Sequence, residues 1–205
     1  ISSIEPNLIT DEIIEFCAAS KKFVPHFHIP LQSGSTRILG LMRRRYTAEK
    51  YRDRIAKIRS LMPDAFIGID VIVGFPGEGE EEFMESYRLL EQVEASFLHI
   101  FPFSERPGTP AVAMPGKVQP RIATERVERL EALSDRLHRS FAEKFLGTER
   151  DVLFESTDRE GMMFGYTDNY LRVSAKWESS KINQICRVRL IEFEASGDIR
   201  CEIVG

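Results

Sequence analysis

The chain has 205 residues, which is enough for one large domain or for a medium-sized domain followed by a small one. Its formal net charge of −4 provides no overall basic field, so any contact with RNA must come from a local patch. No apolar run is long enough to span a membrane and no signal peptide is evident, so we expect a cytosolic protein without a membrane partner.

The first part of the chain is predicted to alternate strands with helices. This alternation indicates an α/β fold with a parallel sheet whose ligand edge lies at the carboxyl ends of the strands. Four strands are too few to close a barrel, so we expect an open half-barrel. The strands are expected at residues 1–4, 23–31, 65–73 and 96–101, and the helices at residues 10–20, 36–42, 47–61, 80–93 and 120–145.

The pattern changes at Leu146-Gly147, where helical periodicity ends. Five short β-runs separated by turn residues follow, which is typical of a small closed barrel. We therefore predict two domains, residues 1–146 and 147–205, with the long helix as the connector. The β-runs are residues 151–155, 162–166, 170–174, 185–194 and 199–204.

Three cysteines, Cys17, Cys186 and Cys201, are scattered and odd in number. Their spacing matches no metal site, so we expect free, buried thiols and no metal ligands. An iron–sulfur cluster needs clustered thiolates, which this chain does not supply.

Several polar side chains lie at or just beyond the predicted strand ends: Glu5, His28, Gln32, Asp70 and Arg106. Asp70 interrupts an apolar run, where an unpaired carboxylate is costly, so it must have a partner. Either a ligand or a structural hydrogen bond would meet that need, and His28 could equally be a packed core histidine. The residue chemistry alone indicates a site for a polar small molecule and leaves the catalytic residues unassigned.

Five segments, in the same order and spacing, resemble the radical S-adenosylmethionine (SAM) methylthiotransferases. The segment 165–170 (GYTDNY) within the predicted small barrel resembles the TRAM domain of these enzymes. The resemblance implies the C-terminal half of a TIM-like radical SAM barrel followed by a TRAM (OB-like) barrel. The five segments are residues 2–6 (SSIEP), 28–35 (HIPLQSGS), 42–46 (MRRRY), 70–78 (DVIVGFPGE) and 104–111 (SERPGTPA).

The forms SSIEP, FPFSER at residues 101–106 and ALSD at 132–135 resemble the branch that converts threonylcarbamoyladenosine in tRNA to its 2-methylthio derivative. The isopentenyladenosine branch is the close alternative, and the ribosomal-protein branch is more distant. A non-catalytic RNA-binding module, or another radical SAM family on the same fold, also stays open. Because the chain lacks the family's three-cysteine motif, it is expected to be a portion that is inactive alone.

The resemblance implies SAM and two 4Fe–4S clusters in the full-length enzyme, with tRNA as the partner. By match to the family motifs, Ser3, Glu5, Gln32, Arg43 and Asp70 are expected to contact SAM or to line its pocket, and His28 and Arg106 are secondary candidates. Aromatic rings in the TRAM-like part could stack on bases and cations could meet phosphate. The expected RNA contacts are Tyr166, Tyr170 and Trp177, with Arg159, Arg172, Lys176 and Lys181.

Overall fold

The computed structural model describes residues 1–159 and 161–204, with the side chains of 156–159 left out of the description. The helices are α1 Asp11–Ala19, α2 Thr36–Leu41, α3 Ala48–Leu61, α4 Glu80–Gln92 and α5 Pro120–Glu143. The strands are β1 His26–His28, β2 Phe66–Val73, β3 Phe97–Pro102, β4 Glu149–Arg159, β5 Met162–Thr167, β6 Arg172–Lys176, β7 Ile185–Phe193 and β8 Ile199–Ile203. Within this part of the chain, no helix is long and apolar enough to cross a membrane.

The first sheet is parallel, with strand order β1-β2-β3. The odd-numbered side chains of β2, Ile67, Ile69, Val71 and Val73, are buried against the helical layer. The opposite face carries Gly68, Asp70 and Ile72, and the last two are only partly buried. The continuous apolar run at residues 65–73 predicts a strand buried on both faces, and this prediction is wrong for the second half of β2. We refer to this less covered side of the sheet as the open face.

Residues 1–4 do not form the predicted strand, so the described sheet has three strands, not four. The segment nevertheless lies beside β1: the Ile4 amide donates to the His28 carbonyl (3.2 Å), and the His28 amide donates to the Ile1 carbonyl (3.0 Å). Between them Ser3 has a φ of 53°. That left-handed conformation interrupts an extended strand, because it turns the backbone out of the β region.

Two helices begin directly after Thr10 and Thr47, the residues at which the sequence predicts them to start. The Thr10 hydroxyl accepts a hydrogen bond from the Ile13 amide, and Thr47 accepts one from Lys50. The sequence predicts Ile13, Ile14, Phe16 and Cys17 as the apolar face of α1; Ile14 and Cys17 are buried, but Phe16 is 75% exposed. Two residues correspond to about 200° around a helix, so Phe16 faces away from the side that Ile14 buries.

The second sheet closes into a barrel with strand order β4-β5-β6-β8-β7. Helix α5 contributes to two hydrophobic cores: Leu130 and Leu133 pack beneath the parallel sheet, whereas Phe141 packs with the barrel. Phe66, at the start of β2, also belongs to the barrel's core and meets Phe141 edge to face. The boundary at residues 146/147 stays a prediction, because the second core takes residues from both sides of it.

The barrel contacts the amino-terminal end of the parallel sheet. The ring of Tyr170 lies 4.0 Å from that of His26 and 5.8 Å from that of Phe66, between centroids. Arg150 of β4 pairs with Asp64, just before β2, at 2.5 Å. The barrel therefore lies at the opposite end of the strands from the predicted ligand edge.

Acid is expected to weaken the contact at His26. Burial is the main reason that the pKa of His26 falls to about 4, so the folded chain holds this ring neutral at pH 7. Its stabilising contribution is complete above the unfolded pKa of about 6.5 and is lost as the pH falls toward 4. Because the His26 ring is partly solvated, we expect the free energy of unfolding to fall by about 1–2 kcal/mol over this pH range. Urea unfolding of the parent chain and of His26→Gln between pH 7 and pH 4 measures this pH-dependent loss of stability, which the variant should lack. Parallel pH profiles of the two proteins would contradict the prediction.

Candidate functional site

Three titratable side chains from neighbouring strands meet on the open face. His28 lies on β1, Asp70 on β2 and His99 on β3. In the sheet register, Asp70 is directly opposite His99, and His28 is opposite Gly68. The imidazole centroids of His28 and His99 are 5.0 Å apart.

Asp70 has the partner that its place in an apolar run requires. Its Oδ1 lies 2.5 Å from His28 Nε2, and the Ser3 hydroxyl lies 3.3 Å from His28 Nδ1. The side chains of His28 and Asp70 are 20% and 18% exposed, so His28 is not a packed core histidine. Burial, and then the neighbouring His28, lower the pKa of His99. His99 was not among the predicted site residues, although strand alternation from Asp70 across β3 could have identified it.

The QSGS segment after β1 is held by β2 on one side and by α4 on the other. The Gln32 amide donates to the Asp70 carbonyl (2.9 Å), and the Gln32 carbonyl accepts from Ile72 (2.9 Å). The Gly34 amide donates to the Ser86 hydroxyl of α4 at 2.8 Å. Gln32 is 9% exposed, and within the described residues its side-chain amide forms no hydrogen bond. An amide that no protein group satisfies is available for a ligand.

Three of the predicted SAM-site residues have left-handed backbones. The φ angles are 53° at Ser3, 66° at Gln32 and 57° at Arg43. Non-glycine residues rarely adopt this conformation, and such strain concentrates at binding sites and clamps. The observation is independent of the motif comparison that selected these residues.

Arg43 and Arg106, the two arginines among the predicted SAM-site residues, do not pair with the acidic residues Glu5 and Asp70. Glu5 is paired, but with Arg44 at 2.5 Å and not with Arg43. Arg43 and Arg106 are exposed, and neither forms an ion pair with another described residue. The structure therefore gathers Ser3, His28 and Asp70 around one contact, and it leaves Arg106 in the loop after β3.

The predicted RNA-contacting residues occupy varied environments. Tyr170 stacks on Tyr166 (4.8 Å, 23°), its ring also lies 4.0 Å from that of His26, and the residue is 43% exposed. Arg172 pairs with Asp198 at 3.0 Å. Lys176 is exposed, Trp177 is partly buried, Lys181 lies 4.0 Å from Glu178, and the side chain of Arg159 lies outside the described residues.

The thiols do not fit a metal cluster. Cys17 is buried in the core of the parallel sheet, whereas Cys186 and Cys201 are buried in the barrel. Burial raises the pKa of Cys201 to about 12, which disfavours the thiolate that a cluster needs.

Comparisons with known proteins point to one group of enzymes. Residues 2–90 match the model of the radical SAM superfamily. The chain is 45% identical over 196 residues to threonylcarbamoyladenosine tRNA methylthiotransferase MtaB of Bacillus subtilis, covering 94% of this chain and 44% of that protein. It is 44% identical over 152 residues to tRNA-2-methylthio-N(6)-dimethylallyladenosine synthase of Thermobifida fusca, covering 74% of this chain and 31% of that protein. The chain thus spans less than half the length of these curated relatives.

One solved structure supports the fold. Coproporphyrinogen III oxidase from Escherichia coli, a radical SAM enzyme, superposes with a TM-score of 0.56 at 16% identity. The match covers 66% of this chain and 31% of that one. At this identity, the similarity concerns the fold alone.

Proposed function

Because the chain belongs to the radical SAM methylthiotransferases, we propose that it is part of a tRNA methylthiotransferase that converts N6-threonylcarbamoyladenosine to its 2-methylthio derivative in the cytosol. The observation that carries this proposal is the 45% identity over 196 residues to the Bacillus subtilis protein of that name. The forms SSIEP, FPFSER and ALSD support the same branch.

A second candidate substrate is the isopentenyl-type nucleotide. The Thermobifida fusca relative, named for dimethylallyladenosine, has nearly the same identity over a shorter stretch. Both candidates use the same cofactors and differ only in the group on the adenine N6. A site for the threonylcarbamoyl group must also accommodate a carboxylate, for which an arginine is a suitable partner.

In this proposal, residues of the open face and of the adjoining loops hold SAM. The cofactor, when bound beside a reduced cluster, supplies a 5′-deoxyadenosyl radical. Gln32 offers a side-chain amide without a partner among the described residues, and the carboxylates of Glu5 and Asp70 suit hydroxyl or ammonium groups. Arg43 suits the carboxylate of the cofactor, and Ser3 positions His28 next to Asp70. The cluster ligands belong to a part of the longer protein outside this chain.

The barrel is proposed to contact tRNA. Lys176 is the last residue of β6 and Trp177 follows it, so both lie at the opposite end of this strand from Tyr170. Tyr166, Tyr170 and Arg172 stay predicted contacts.

Mass spectrometry of tRNA nucleosides tests the proposal. A strain without the gene is expected to lose 2-methylthio-threonylcarbamoyladenosine and to regain it with the full-length gene, but not with these 205 residues alone. The full-length Gln32→Ala variant is expected to form about tenfold less product than the unsubstituted full-length protein, because one contact with the cofactor is lost. Loss of the isopentenyl derivative instead would establish the second candidate. No change in either nucleoside would favour the non-catalytic RNA-binding module.

A further inference from the structure

The cluster on the open face has the composition of a metal site. His28, Asp70 and His99 each present one ligand atom, and these three atoms all lie within 4.8 Å of one another. We propose that these side chains bind a divalent first-row transition metal ion, with Zn²⁺ as the first ion to test. The site shares His28 and Asp70 with the surface that is proposed to hold SAM, so metal binding is measured on the chain without SAM, and its failure would leave the methylthiotransferase proposal untouched. The site lies apart from the buried thiols.

The donor set determines which ions suit the site. Two imidazoles and one carboxylate favour Zn²⁺, Fe²⁺ or Mn²⁺ over Ca²⁺ or Mg²⁺, which prefer oxygen ligands. Three protein ligands also leave coordination positions open, as in catalytic zinc sites. His99 is exposed, so those positions are accessible to water or to a substrate oxygen.

A second observation supports His28 as a ligand. Its Nδ1 lies 3.3 Å from the Ser3 hydroxyl, while its Nε2 faces Asp70. Histidine ligands commonly use one ring nitrogen for the metal and bind a polar neighbour through the other, which fixes the ring orientation. The left-handed backbone of Ser3 (φ 53°) helps to bring its hydroxyl to this position.

Gly68 leaves the space that an ion between the two imidazoles needs. A Cβ at this position would lie 3.7 Å from His28 Cδ2 and 3.8 Å from His99 Nε2. A side chain longer than alanine at residue 68 would therefore occupy the region between the rings. The glycine lies on the same face as Asp70, two residues away on β2.

Small side-chain movements complete the coordination. A zinc ion lies about 2.0–2.2 Å from each nitrogen or oxygen ligand, so two ligand atoms of a tetrahedral ion are about 3.3–3.6 Å apart. The three ligand atoms lie within 4.8 Å of one another, so the widest pair must close by no more than about 1.5 Å. The 2.5 Å contact between His28 and Asp70 must open as the ion replaces the proton between them. Neither side chain is fully buried, so both can rotate.

Titration of the tag-free 205-residue chain with Co²⁺, followed by competition with Zn²⁺, tests the site. We expect saturation at one equivalent and the visible absorption of cobalt bound by nitrogen and oxygen, without thiolate-to-cobalt charge transfer. Failure to saturate at one equivalent, or a thiolate signal, would overturn the proposal.

Variants locate the bound ion. His99→Gln is expected to weaken Zn²⁺ binding by at least about tenfold, and Ser3→Ala by about tenfold through its effect on His28. His138→Gln is the matched control: His138 lies on α5, where its Nδ1 contacts the Ser96 carbonyl, and its loss is expected to leave the affinity unchanged. Thermal unfolding without metal verifies that each variant is folded. Unchanged affinity in His99→Gln, or equal loss in the control, would exclude this site.

Discussion

Replacing Arg126 with methionine is expected to lower the free energy of unfolding by about 3–5 kcal/mol, because it leaves a buried carboxylate without its countercharge. Arg126 of α5 donates to Glu78 Oε1 at 2.7 Å, and their side chains are only 5% and 2% exposed. The same oxygen accepts the Gly74 amide at 2.9 Å. The ion pair therefore fastens the loop after β2 to the long helix.

Urea unfolding of Arg126→Met, with Arg129→Met as the control, measures this cost. Arg129 lies one turn along α5 and pairs with Glu80, but it is exposed, so its loss is expected to cost less than about 1 kcal/mol. Burial already raises the pKa of Glu78, and loss of the arginine removes a group that opposes this rise. The penalty should therefore shrink as the pH falls and Glu78 takes up a proton. Adding Glu78→Gln should recover part of the stability. A double variant no more stable than Arg126→Met would contradict this account.

Replacing Gly34 with alanine is expected to lower the free energy of unfolding by about 3 kcal/mol, because the QSGS segment lies directly against α4. A Cβ at Gly34 would stand 2.5 Å from the Ser86 Cα and 2.9 Å from the Glu85 carbonyl oxygen. These are backbone atoms, so no side-chain rotation relieves the clash. The segment or the helix must shift, and the hydrogen bond from Gly34 to the Ser86 hydroxyl (2.8 Å) would be strained.

Gly40→Ala provides the matched control, since it makes the same chemical change nearby. Nothing lies within 4 Å of a Cβ at Gly40, which is in α2. Alanine is favoured over glycine in a helix, so the free energy of unfolding of this variant is expected to be higher by about 0.5–1 kcal/mol. Denaturant unfolding of both variants gives the comparison. If Gly34→Ala were as stable as Gly40→Ala, the close approach of the segment to α4 would be disproved.

Local sequence patterns predicted most of the secondary structure. The apolar run at residues 65–73 became β2, and the five short β-runs after residue 146 became the five strands of a closed barrel. Thr10 and Thr47 marked helix starts because capping involves residues only three positions apart. The first segment was misassigned because the φ of Ser3, which ends its extended course, has no signature in the residue type.

The candidate site was predictable only in part. The need of Asp70 for a partner follows from its apolar surroundings, since a buried charge must be compensated wherever it lies. The sequence does not indicate which residue this partner is, because His28 lies 42 residues away from Asp70 along the chain. The pairing of Glu5 with Arg44, and not with its neighbour Arg43, depends on the left-handed turn at Arg43.

Sequence alone established the family resemblance, the order of strands and helices after the first segment, and the need of Asp70 for a partner, because periodicity, capping and motif spacing are local properties. Tertiary structure alone decided which side chains meet. Strand register placed His99 beside Asp70, and helix packing buried Arg126 against Glu78. Such contacts join residues tens of positions apart, and a shift of one residue in register would turn each strand side chain to the opposite face.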